Sequence, residues 1–447
     1  MNFQKAAIAL SIGASCFILS AQASPFAPEA KKELNLIDME TGYSFFDDAS
    51  VDAKFRFVGY SRDSYRSGQT GHPDKAFYRQ LQRRDSALSL WTNFESGWLW
   101  DSVGFDLGAY TTKVLESRGH DFMPKMWANN DVKSASKIGV ANLKFRFGNE
   151  EMGMDGRVGR MTLNLPMVIS EMDTALPETY EGIQLNGHYK MVSGYVAHMD
   201  SFSSEMSSST DKLMPYGIET DAPIKFAGMT FGKQGETPVV GIHYGEQKDY
   251  LKKTMYTVEA GMPVGDNFVA AKLLYQDQEG GKYYRDGNHK ADMVALNLMA
   301  QIGQDLTLLG GYSQVGDEPY DVYFSDGIYA MNNNTNMIWN DFTHGNMKAV
   351  SLGGIYSLAS LGIEGLSVNT MAAYGWDADM MTFGETFNMY MPLTDDSAWE
   401  VAAGVTYEIF QGPMQGLWLH ASYNRDGGGF GNHQGGRIIF DYTVKLF

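Results

Sequence analysis

Trp399-Glu400-Val401-Ala402-Ala403-Gly404-Val405-Thr406-Tyr407-Glu408-Ile409 splits in two when read at every second residue. Trp399, Val401, Ala403, Val405, Tyr407 and Ile409 fall on one face, and Glu400, Ala402, Gly404, Thr406 and Glu408 on the other. Successive side chains of a strand point to opposite faces, so this stretch is a strand with a greasy side and a polar side. A barrel that crosses lipid needs such strands, apolar outward and polar toward a wet lumen. The same split recurs at Val350, Leu352, Gly354, Tyr356 and Leu358 against Ser351, Gly353 and Ser357. It recurs again at Ile438, Phe440, Tyr442, Val444 and Leu446 against Arg437, Asp441, Thr443 and Lys445. Three such segments also suit a β-sandwich, and the connections between segments decide the matter.

Those connections alternate in kind. Short glycine-rich or polar turns stand near 98–101, 149–153, 190–192, 233–236, 263–266, 304–305, 359–364 and 411–415. Mostly longer polar connections separate them, at 61–83, 115–135, 164–179, 201–222, 248–249, 278–289, 316–346, 377–397 and 426–435. Eight turns and nine loops join eighteen strands. The expected fold is therefore all-β, a transmembrane antiparallel up-and-down β-barrel of about 18 strands, with short turns and both chain ends on the periplasmic side. The 49 glycines, 25 tyrosines, 25 phenylalanines and 8 tryptophans suit strands and turns better than helices. Beyond residue 23 no apolar run approaches the length of a membrane-spanning helix. Trp98, Trp100, Tyr110, Trp376, Trp399 and Tyr442 lie near strand ends, where interfacial girdles are expected. Phe447 closes the chain directly after the last patterned strand, out of step with Leu446 and Val444.

At the other end, Lys5 precedes an apolar stretch from Ala6 to Leu19 and the small-x-small sequence Ala21-Gln22-Ala23. Residues 1–23 read as a secretory signal, 24–50 as a short periplasmic segment and 51–447 as the barrel. Cys16, the one cysteine, leaves with the signal, which excludes disulfides, thiolate metal sites and a cysteine nucleophile from the mature chain. Cleavage removes Lys5 and no acid, moving the formal charge from −18 to −19. Such a balance argues against nucleic acid, whose phosphates require clustered cations. The expected location is the outer membrane of a Gram-negative bacterium. The expected partners are outer-membrane lipids, small hydrophilic solutes and the barrel assembly machinery, with either a monomer or a homotrimer as the assembled state. No His-Glu-x-x-His, Gly-x-Ser-x-Gly or phosphate-cradling glycine loop is present, so neither an enzyme nor a cofactor is expected.

Gly159-Arg160-Met161, Leu163-Asn164-Leu165-Pro166 and Leu176-Pro177-Glu178-Thr179-Tyr180-Glu181-Gly182 together resemble the OprD family of substrate-specific porins. Phe45-Phe46-Asp47-Asp48-Ala49-Ser50-Val51 and Tyr374-Gly375-Trp376-Asp377-Ala378 are similar to the chitoporin branch of that family, and Arg437-Ile438-Ile439-Phe440-Asp441-Tyr442 resembles its terminal strand. The resemblance implies an eighteen-stranded barrel, a loop that constricts the channel over 164–179, and uptake of chitooligosaccharides. Family members often carry Asp-x-Arg ahead of the Leu-Pro. Here the run is Glu171-Met172-Asp173-Thr174-Ala175-Leu176-Pro177, without the arginine, so selectivity for carboxylates does not carry over at this point.

If 164–179 enters the lumen, Glu171, Asp173 and Glu178 bring carboxylates to the narrowest part. Opposing basic candidates are Lys54 and Arg56 on the first strand, Arg157 or Arg160, which lie in opposite phases, and Arg437 and Lys445 on the last strand. Closure makes the first and last strands neighbours, which suggests one basic stripe from Lys54, Arg56, Arg437 and Lys445. Pores select by width, by charge and by wall hydrogen bonds. Tyr60, Trp91 and Trp418, with His420 two places on, are inward-phase aromatics that suit the flat faces of sugars or simply fill space under the loops. Basic amino acids, small peptides or carboxylates are alternative solutes. A non-conducting adhesin or barrel enzyme that works through loop 316–346 is the alternative of another class.

Overall fold

In a computed structural model the protein is described over residues 44–69, 76–118, 125–126, 131–132, 134–149, 151–205, 207–215, 218–233, 236–285, 287–325, 335–379, 381–384, 389–392, 395–429 and 432–447. The expected signal 1–23 and residues 24–43 lie outside the described residues. Eighteen long strands make the wall: β1 Ser50–Gln69, β2 Ala76–Glu95, β3 Val103–Arg118, β4 Ala135–Gly148, β5 Met152–Met161, β6 Thr179–Tyr189, β7 Val192–Ser203, β8 Ile224–Phe231, β9 Val239–Gln247, β10 Leu251–Val264, β11 Asn267–Gly280, β12 Lys290–Ile302, β13 Leu306–Val315, β14 Lys348–Ser357, β15 Leu366–Trp376, β16 Ala398–Glu408, β17 Leu417–Gly428 and β18 His433–Lys445. A nineteenth member of the sheet, Asp211–Lys212, is a two-residue addition beside Ser201 and Phe202.

Each wall strand pairs antiparallel with the next. β1 also pairs with β18, from Asp52 opposite Lys445 to Ser64 opposite His433, so the sheet closes and leaves no edge. The last residues complete this seam: Leu446 N–H donates to Val51 O at 2.8 Å, and Val51 N–H donates to Phe447 O at 3.2 Å. The eighteen strands and the alternation of short turns with longer loops are those read from the sequence.

The alternation of faces also holds. Leu352 is 70% exposed and Val401 44% exposed on the outer wall, whereas Glu400 is fully buried inside. Tyr374 and Trp376 stack at 6.0 Å beside Trp399, forming part of a girdle at the loop end. Tyr110 departs from the girdle expectation because its phase points inward. Its ring lies 5.6 Å from Trp91, its hydroxyl donates to Asn93 Oδ1, and it rests where a Cβ on Gly139 would come within 1.7 Å.

The lipid face carries a direct test. A charge at the bilayer midplane costs ~2–4 kcal/mol in a barrel and ~0–1 kcal/mol near an interface. Leu352→Arg, in mid-strand, is therefore expected to destabilise the refolded barrel strongly in urea titrations on lipid vesicles. Leu361→Arg, in the turn after β14, is expected to change it little; equal effects at the two positions would contradict the assigned lipid face.

Candidate functional site

The chain between β5 and β6, residues 162–178, turns into the lumen; the expected boundaries were 164–179, but Thr179 already belongs to β6. Its outgoing half is a small hairpin, with Asn164 opposite Ile169 and Leu165 opposite Val168. The hairpin closes where Leu163 N–H donates to Ser170 Oγ and Ser170 N–H donates to Leu163 O, both at 2.9 Å. Met161, Leu163, Leu165, Met167 and Val168 are buried and join a cluster with Met199, Phe202 and Leu213. The apolar letters of this segment thus face protein rather than solute, which explains how a greasy loop sits inside a wet pore.

The returning half is fixed by polar groups. Arg56 is 2% exposed and binds Asp441 with two hydrogen bonds, Nε to Oδ1 at 2.7 Å and Nη2 to Oδ2 at 2.6 Å. Its Nη1 donates to the carbonyls of Met172 and Thr174. Its guanidinium lies 4.3 Å from the Trp91 ring, whose Nε1 donates to Ala175 O at 3.0 Å. Arg437 pairs with Asp173. Strands β1, β2 and β18 therefore grip the loop jointly between Met172 and Ala175, and a planar, always-charged group with five donors suits the central position.

The other sequence candidates separate. Lys54 lies inward, 4.0 Å from Asp441, so Asp441 interrupts the basic stripe expected from closure. Lys445 is exposed at the turn end opposite Asp52 and lies away from the constriction. Arg157 faces inward, 3.9 Å from Asp106, which also binds Lys144 at 2.7 Å. Arg160 faces outward and bonds Glu181, its partner on β6, at 3.1 Å; the ladder runs unbroken through Gly159, so the three-residue spacing puts the two arginines on opposite faces. Trp91 is 2% exposed beneath the loop, which covers its ring. Tyr60 is buried, its hydroxyl accepting from Trp339 Nε1 at 3.2 Å, and Trp418 lies inward, stacked on His420 at 5.7 Å.

Glu171 and Glu178 close the base of the loop on each other. Glu178 N–H donates to Glu171 O at 2.9 Å, and Glu171 N–H donates to Glu178 Oε2 at 3.0 Å. Glu205, in the loop after β7, joins them: a carboxylate oxygen from each of the three lies within 4.8 Å of the others. Burial, followed by the neighbouring acids, pushes Glu171 and Glu178 well above the usual carboxylate range, and burial raises Glu205 as well.

The described parts of the second loop, residues 316–325 and 335–347 between β13 and β14, also pack inward; 326–334 lie outside the described residues. Lys253 is fully buried and donates to Asp321 O at 2.5 Å and Tyr323 O at 2.9 Å, while Ser325 N–H donates to Gln247 Oε1 at 2.9 Å. On the facing wall the Glu400 carboxylate accepts the backbone N–H groups of Ile338, Trp339 and Asn340 at 3.0–3.2 Å. Gly375 leaves room for this loop, since a Cβ there would come within 2.6 Å of Phe342 Cδ1. Lys253, Gln247, Glu400 and Trp339 were not singled out from the sequence. Polar inward residues recur on the wall strands, and nothing in the alternation distinguishes an anchor from a wetted wall group.

The profile of the family described as outer membrane porin, OprD family, matches residues 43–446. Among individual proteins, the porin-like protein GalP of Pseudomonas putida is 21% identical over 416 residues, covering 90% of this chain and 93% of its own length. The chitoporin of Escherichia coli is 23% identical, covering 76% of this chain and 80% of its own. The crystal structure of OpdK from Pseudomonas aeruginosa with vanillate shares the fold at a TM-score of 0.75 and 18% identity, covering 90% of this chain and 100% of that one. With a family match across the whole barrel, and with a closed eighteen-stranded wall and an inward loop after β5, the chain belongs to the OprD family of outer membrane porins.

Proposed function

We propose that this porin passes small hydrophilic solutes passively, without chemistry, and prefers neutral chitooligosaccharides. One observation carries the preference: the charges that hold the constricting loop are consumed in pairs. Asp173 is taken by Arg437, and Asp441 by Arg56 with Lys54 at hand. These paired charges, with the neighbouring carbonyls and hydroxyls, offer hydrogen bonds that suit a neutral polar solute. Inward aromatics at Trp339 and Trp418 supply flat faces suited to sugar rings. The likeness to a chitoporin supports the same reading.

A second reading, uptake of carboxylates, is favoured by Arg157, whose side chain keeps 32% exposure beside Asp106. Current block separates the two. In planar bilayers the protein is expected to give stepwise conductance that N-acetylglucosamine oligomers interrupt at lower concentration than vanillate does. The reverse order would favour carboxylates, and absence of any step in several lipids would sink the channel reading.

Arg56 does two things, balancing Asp441 and holding two loop carbonyls, and the two can be separated. Breaking a buried pair by removing one partner costs ~3–5 kcal/mol, whereas replacing both partners with apolar side chains is often neutral. Arg56→Ala is expected to destabilise the barrel and to raise conductance and current noise. Arg56→Met with Asp441→Leu is expected to recover much of the stability while the noise stays high. Quiet, wild-type currents in the double variant would show that Arg56 does not position the loop.

A further inference from the structure

Residues 338–340 of the second inward loop are seated on the Glu400 carboxylate of β16, which is fully buried. Its Oε2 accepts from the amides of Trp339 and Asn340 at 3.1 and 3.0 Å, and its Oε1 accepts from the amide of Ile338 and from Asn424 Nδ2, both at 3.2 Å. Asn340 Nδ2 reaches Asp426 Oδ2 at 3.2 Å, and Asp426 binds His433 Nδ1 at 2.7 Å. The segment so fixed presents Trp339, half-buried, against β1 and β18. The Arg62 guanidinium lies 5.2 Å from its ring centroid, its Nε1 donates to the Tyr60 hydroxyl at 3.2 Å, and the His433 ring stands edge-on to it at 6.0 Å. These contacts lie on the loop side of the constriction. β1 runs from its turn end at Ser50 to its loop end at Gln69, and Arg62 stands roughly 20 Å along it beyond the Arg56 that holds the constricting loop. His433 opens β18 at the same end.

We infer that Trp339 is a stacking subsite for one ring of a neutral pyranoside on the loop side of the constriction, and that Glu400 is its positioning residue. The inference rests on the chitooligosaccharide reading above and adds the place where such a chain is first held. A flat apolar face rimmed by a few fixed polar groups is the make-up of a small-ligand site. The rim chemistry here suits hydroxyls. With Asp426 as partner at Nδ1, a neutral His433 ring carries its proton there and offers Nε2 as an acceptor, while Arg62 offers donors only. A pyranose ring matches that set, since it turns an apolar C–H face to the indole and hydroxyls, which both donate and accept, to the rim. A carboxylate would use the Arg62 part alone. Rigidity matters as much as chemistry, because a ring already held in place loses little freedom when it binds. The amide bonds of residues 338–340 to Glu400 supply that rigidity, so Glu400 acts on the solute through Trp339.

The experiment records block of single full-length barrels, inserted in one orientation, by the N-acetylglucosamine trimer added to one side at a time. Trp339→Ala is expected to slow association from the loop side about fivefold, the scale of one lost aromatic contact, and to leave the rate from the turn side close to wild type. Trp339→Phe, which keeps a ring, is expected to retain most of the loop-side rate. Glu400→Gln, which turns a donor toward the amides, is expected to slow loop-side association as Trp339→Ala does and to add nothing further when the two are combined. Tyr423→Ala, on the lipid face of β17, is expected to change neither side, with heat-modifiable migration confirming that every variant folds. Unchanged loop-side block in Trp339→Ala, or equal slowing from both sides, would overturn the subsite. Additive effects of the two substitutions would overturn the role of Glu400. A loss of vanillate block larger than the loss of sugar block would assign the ring to aromatic carboxylates and also overturn it. A wild-type channel that conducts but ignores the sugar would remove the chitooligosaccharide reading and this inference together, whereas sugar block untouched by the Trp339 variants would remove the inference alone.

Discussion

Hydrocarbon offers no hydrogen bonds, so every backbone N–H and C=O that enters it must find a partner within the protein. β1 meets this requirement for the whole molecule by pairing with β2 on one side and β18 on the other, with Val51, Leu446 and Phe447 finishing the seam. Once the sheet is closed, the two faces of each strand acquire separate jobs. Phe55, Leu352, Val401 and Ile438 meet lipid, while Arg56, Glu400 and Asp441 are left inside, where charges are affordable because they meet water and one another.

The interior then solves a problem that the wall creates. A tube of this circumference leaves a wide lumen, and among the described residues two loops enter it. Each loop is held by a charge emerging from the wall and bonded to main-chain groups: Arg56 to the carbonyls of Met172 and Thr174, Lys253 to those of Asp321 and Tyr323, and Glu400 to the amides of Ile338, Trp339 and Asn340. Buried charges are costly unless they are paired and hydrogen-bonded, so such anchors favour one loop position over its neighbours.

Much of the fold was legible in the alternation at residues 399–409 and in the spacing of turns and loops. Side-chain period two and the chemistry of turns are local, and a barrel in lipid repeats them strand after strand. The entry of the 162–178 segment into the lumen was legible only through resemblance, because a run such as Leu163-Asn164-Leu165-Pro166 does not state which side of the wall it will occupy. The aromatics were harder. Trp91 and Trp418 share an inward phase, yet Trp91 lies under the loop and Trp418 beside His420, a difference set by which strand the loop crosses.

The sequence by itself determined the lipid-facing wall and its strand number, through the spacing of turns and loops, and the inward phase of Lys54, Arg56, Asp441 and Glu400, which follows from neighbours one or two residues away. Only the tertiary structure decided which charges meet: that Arg56 holds Asp441 across the seam, that Glu205 joins Glu171 and Glu178, and that Glu400 receives the amides of Ile338, Trp339 and Asn340, some sixty residues earlier. The reason is geometric. Strand phase fixes the direction in which a side chain points, but its partner across an open lumen depends on how the loops fold back, and no local period records that.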